Sequence, residues 1–218
     1  MGDEGGPDFG DSLPAVFTPD NEPYLGRHPL HVLDVLIPSA LEVHGDIATF
    51  TREKGDQLNP LQRSACQLVP QGVNLALTMR ELIRQGYLFG TAVLLRPLVE
   101  RSAIISYLCD HPESVEEWEA GWRHRERPSL RDMLRSLQPD QLEAADEVCQ
   151  QLNHLVHGDP VGATWNLIHS SDGCLGYGMG RNLNDPQFCD WLCDQTISWL
   201  TVLTGRAASL FPHIRALH

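Results

Sequence analysis

The stretch that most constrains this chain is residues 88–108, LFGTAVLLRPLVERSAIISYL. It is apolar almost all the way round, with no polar stripe wide enough to face water. A helix of that kind is normally buried between other elements. Yet Arg96, Glu100 and Arg101 sit in its middle, beside Pro97. Ionised groups in a core must be paired or serve a purpose, because desolvating them is costly. The stretch therefore predicts the central helix of an all-α domain. Its charges are the first place to look for function.

The chain around it has 218 residues, 42% hydrophobic and 21% charged, enough for one sizeable core. Its net charge of -13 argues against a broad nucleic-acid footprint, while leaving room for a local basic groove. Residues 88–108 are long enough to cross a membrane, but three charges and a proline spoil them for it. The N-terminus shows no basic segment followed by an apolar run, so no secretory signal is expected. The six cysteines form no C-x-x-C pair and fit reduced, buried thiols in a cytoplasmic protein. A zinc site from Cys189, Cys193 and a distant histidine is the alternative, against the usual tighter pairing of zinc ligands.

Residues 1–27, rich in Gly, Pro and Asp, predict a disordered acidic leader, and residues 28–218 a single helical domain. Helical periodicity runs from Leu30 to about Arg52, with Pro38 inside. Asn59-Pro60 is a helix start, with Asn as cap and Pro in the first turn, and Gly86 is the stop. Pro70 interrupts that second helix and Pro97 the third. A proline costs roughly 3 kcal/mol in a helix interior. Either the three helices bend, or the prolines separate shorter ones.

Residues 112–126 read as an amphipathic helix, with Val115, Trp118 and Trp122 in register. Next come His124 and five arginines, Arg123, Arg125, Arg127, Arg131 and Arg135. This local basic patch is either a solvated face paired with nearby acids or a phosphate or RNA contact. A further helix spans about residues 140–157. Asp172-Gly173, between two short alternating runs, predicts a small β-hairpin, whose glycines suit a lid. The last helix spans about residues 185–210. The expected architecture is all-α: a bundle of about six or seven helices with a small β-hairpin before the last.

No phosphate-binding loop, dinucleotide fingerprint or nucleophile elbow is present, so no cofactor is expected. His154 and His157 diverge by about 60° on a helix, which weakens a shared metal. The informative constellation joins two helices. Arg96 and Glu100 are four apart and can pair. Asn153, His157 and Asp159 close the helix of residues 140–157, and the helix dipole there favours an imidazolium at His157. Converging Arg, Glu and His would bind a phosphate or carboxylate and supply a general acid or base. A buried ion network that fixes packing is the alternative. Arg101 points about 140° away from Arg96.

An arginine–glutamate pair in a long apolar helix, followed by Leu152-Asn153-His154-Leu155-Val156-His157-Gly158, resembles a set of bacterial helical proteins. They are related in pattern to the HEPN (higher eukaryotes and prokaryotes nucleotide-binding) superfamily. The resemblance covers roughly residues 61–210. It implies a helical bundle, often a dimer, acting on RNA without a metal, as a toxin or antiphage defence component with an antitoxin-like partner. His157 matches the family's catalytic histidine. The family's arginine, four to six residues before it, is replaced here by Asn153, so the charge would come from Arg96 or Arg101. Taken with the two-helix constellation and the local basic patch, the expected catalytic residues are Arg96, Glu100, Asn153 and His157, and the expected substrate-binding residues Arg101, Asp159, Arg123 and Arg127. The alternative is a non-catalytic helical module that binds or dimerises around a protein or small ligand.

Overall fold

The computed structural model describes residues 22–123, 127–135, 137, 149–150, 152–154, 160, 167–169, 175–177, 180–212 and 214. Within these the fold is helical: α1 (His28–Lys54), α2 (Pro60–Arg84), α3 (Leu88–Asp110), α4 (Val115–Glu119), α5 (Leu130–Leu134) and α6 (Pro186–Ala208). Residues 152–154 are helical as well. Two three-residue segments, β1 (Leu167–His169) and β2 (Leu175–Tyr177), pair antiparallel, with Leu167 opposite Tyr177. They add no sheet layer, and the architecture is all-α. The Asp172-Gly173 turn lies outside the described residues.

The ends of the long helices follow from local chemistry. Asn59 and Gln62 form a reciprocal capping box, which satisfies two amide groups that have no partner within α2. At the other end Gly86 takes a φ of 82°. The Tyr87 amide donates to Leu82 and the Gly86 amide to Ile83, at 2.8 and 2.9 Å. That is the Schellman arrangement, which needs a residue at ease with positive φ. Asp185 caps α6 by accepting from the Phe188 amide.

The three internal prolines do not divide their helices. Pro38, Pro70 and Pro97 each lie inside a continuous helix of 27, 25 and 23 residues respectively. Each forgoes one backbone bond and is carried by the packing of its helix, since tertiary burial outweighs propensity.

α3 is central, as its all-round apolarity predicts. It packs on α2, α6 and α5, while α1 packs on α6 and α2. Leu88, Leu95, Leu98, Ile105 and Leu108 are fully buried. Burying such a side chain contributes about 1.5–3 kcal/mol. Small residues let α2, α3 and α6 approach closely. A Cβ added to Gly72 would stand 2.0 Å from Leu203 Cδ2 and 3.5 Å from Leu98 Cδ1. Buried hydroxyls are satisfied within the bundle: Ser102 donates toward Leu98 O at 3.0 Å and Trp199 O at 2.8 Å.

Two boundaries differ from expectation. The helix expected over residues 112–126 is only a 3₁₀ turn plus the short α4. Gly121 ends it with a φ of 79°, and Trp122 and Gly121 donate back to Glu117 and Trp118 in a second Schellman turn. The folded domain also starts earlier than residue 28. Tyr24 is buried, its hydroxyl donates to Asn182 O at 2.7 Å, and Arg27 Nε donates to Asp190 at 2.9 Å. Glu22 pairs with Arg84. Among the described residues no helix is long and apolar enough to cross a membrane.

Candidate functional site

The three charges in the middle of α3 form one row. Arg96 Nε lies 3.4 Å from Glu100 Oε1, the spacing expected for residues one helical turn apart. Arg101 Nη1 lies 3.9 Å from Glu100 Oε2 on the other side. Glu100 therefore sits between two guanidiniums, and all three side chains are only partly exposed, at 23–29%. Desolvation of the carboxylate is offset by two cations rather than one.

At one end of the row, Arg96 Nη1 donates to Asn153 Oδ1. The contact joins α3 to the helical residues 152–154, where Leu152 is fully buried. So the structure brings together Arg96, Glu100 and Asn153 as expected. His157 and Asp159 lie outside the described residues.

At the other end, Arg101 turns away from Asn153. Its Nε donates to Gln71 Oε1 of α2 at 3.2 Å, and its Nη1 to Pro97 O at 3.1 Å. Here an open cleft of about 370 Å³ lies between α2, α3 and α4. Gln71, Glu100 and Arg101 line it from α2 and α3; Trp118, Gly121, Trp122 and Arg127 line it from α4 and the chain that follows. Leu68 and Ile104 give it apolar surface.

Local sequence explains this wall. The Gly121 turn stops α4 after Glu119, and Trp118 and Trp122 line one cleft. Trp122 packs edge-on against Tyr107, with ring centroids 6.4 Å apart. The Trp122 indole N–H is buried and has no acceptor among the described residues. Such a donor costs about 1–3 kcal/mol until a partner reaches it.

The arginine cluster resolves into different roles. Arg127 lines the cleft, is exposed and has no ion pair among the described residues. Arg123 is exposed and does not line the cleft; its carbonyl accepts the Arg127 amide at 3.1 Å. Arg135 pairs with Asp132 at 3.0 Å beyond the Ser129 cap of α5, the solvated-face alternative. Sequence reasoning missed Trp118, Trp122 and Gln71 as site residues. Two tryptophans four apart, just before an arginine run, were the available signal.

Among the described residues the cysteines offer no competing centre. Burial pushes the Cys109 thiol up to about 11, which leaves it protonated near neutral pH. Cys193 is driven up by its hydrogen bond with Cys189 and by burial. Among the described residues no cluster of three His, Cys, Asp or Glu side chains is placed to hold a metal ion. Comparison with protein-family models, with curated proteins and with solved structures finds no match to this chain.

Proposed function

We propose that the protein acts on RNA where α3 meets residues 152–154, as a metal-independent, HEPN-like ribonuclease of the toxin or antiphage-defence kind. The observation that carries this reading is the Arg96–Asn153 contact. Asn153 stands four residues before His157 in the sequence, so the two would share one flank of a helix that ran through both. Glu100 and Asn153 occupy Nε and Nη1 of Arg96, and a planar guanidinium has further donors for a phosphate.

In this chemistry His157 takes the proton of a ribose 2′-hydroxyl, the 2′-oxygen attacks phosphorus, and the P–O5′ bond breaks as the His157 imidazolium returns that proton to the leaving 5′-oxygen. Arg96 offsets the charge that builds on the phosphoryl oxygens, where fixed cations act most strongly. A homodimer and an antitoxin-like protein partner belong to the same reading.

The test is incubation of the protein with tRNA and total RNA in EDTA, beside His157→Ala and Arg96→Ala. Cleavage by the wild type that leaves 2′,3′-cyclic phosphates and is lost in both variants is expected. Intact RNA with the folded wild type overturns the proposal. A second reading, a non-catalytic module for a small ligand, is favoured by the open cleft at the far end of the charged row.

A further inference from the structure

The cleft between α2, α3 and α4 combines three features that core packing does not require. Two indole rings line a cavity open to solvent, when tryptophan is among the costliest side chains to leave uncovered. One guanidinium, Arg127, reaches the cavity without an ion pair among the described residues. One indole N–H, that of Trp122, is buried without an acceptor among them. Flat apolar surface beside a charged donor is the composition of a small-ligand site, where a few polar groups orient a mostly apolar body.

Size and charge narrow the ligand. A volume of about 370 Å³ lies near the lower end of the range for small-molecule sites, which suits one or two fused rings. Among the described lining residues Arg101 and Arg127 bring two positive charges and Glu100 one negative charge, a net of one positive charge. A monoanion matches it. A phosphate monoester, carrying about −1.5 to −2 at neutral pH, would bring excess charge against Glu100. Glu100 also offers an acceptor to a ligand N–H or O–H.

We infer that the cleft binds a planar aromatic monocarboxylate carrying a hydrogen-bond donor. The ring lies against Trp118 and Trp122. The carboxylate takes Arg127, with Arg101 as a further donor, and the ring donor meets Glu100. The inference does not rest on RNA chemistry: it uses the other end of the charged row and needs neither His157 nor Asn153.

Calorimetry with three probes tests it on the full chain: indole-3-acetate, its uncharged isostere indole-3-acetamide, and adenosine monophosphate. Saturable one-to-one binding of indole-3-acetate is expected, with both other probes at least about tenfold weaker, the worth of one charge-assisted pair. Arg127→Ala, at an exposed position, should weaken indole-3-acetate by about tenfold with an unchanged circular-dichroism spectrum. Trp122→Ala removes one aromatic wall and should also bind indole-3-acetate more weakly. The inference is overturned if no probe saturates, if the acetamide binds as tightly as the acetate, if adenosine monophosphate binds more tightly, or if Arg127→Ala is without effect.

Discussion

The two sides of α3 solve opposite problems with the same helix. Toward α6, Ser102 is buried and its hydroxyl finds a partner inside the bundle at Trp199 O, and Leu95 and Leu98 of the same helix are fully buried. Toward α4, Glu100 and Arg101 are half-buried and face a cleft that Arg127 lines without an ion pair among the described residues. The first side is closed by small residues and interdigitating leucines. The second is held apart by tryptophans that a glycine turn has placed there. A helix with apolar residues on every side can therefore still carry a row of charges, provided that its neighbours leave one edge uncovered. Stability and binding should separate along this line.

The largest effect is expected on the closed side. Leu98→Ala should cost about 2–5 kcal/mol in denaturant unfolding, because Leu98 is fully buried and the cavity cannot collapse easily. A loss below about 1 kcal/mol would mean that the α3–α6 contact is looser than described. Gly72→Ala should follow at about 1–3 kcal/mol, since the new methyl would meet Leu203 Cδ2 at 2.0 Å and force that side chain aside. An unchanged midpoint would show that Leu203 has a free alternative rotamer.

These two positions also show what could be read from the chain. The central helix was legible because its apolarity has no solvent face. The ends of α2 were legible because Asn59-Pro60 and Gly86 act through their own backbone. The end of α4 was not, since Val115, Trp118 and Trp122 keep helical spacing across Gly121, and periodicity does not register one residue at positive φ. The start of the fold was hidden for another reason. Tyr24 and Arg27 sit in an acidic, glycine-rich stretch and find their partners at Asn182 and Asp190, far along the chain. The Arg96–Glu100 pair followed from spacing, whereas the cleft draws on three segments that only tertiary packing assembles.

Smaller effects sharpen the contrast. Ser102→Ala should cost about 1 kcal/mol by removing one buried hydroxyl that bridges α3 to α6. Arg127→Ala on the open side should leave unfolding within about 0.5 kcal/mol of wild type, because the side chain is exposed and has no ion pair among the described residues. If Arg127→Ala destabilises as much as Ser102→Ala, the cleft wall is a packing element and the division between the two sides fails.

The charged row of α3 is held to seat residues 152–154 against that helix, and a double-mutant cycle between Arg96→Ala and Asn153→Ala measures this directly. The bond is charge-assisted and partly buried, so the two unfolding penalties should fall short of additivity by about 1 kcal/mol or more. Penalties that add to within about 0.3 kcal/mol would mean that Arg96 and Asn153 do not interact, and the site at the α3 crossing would have no foundation.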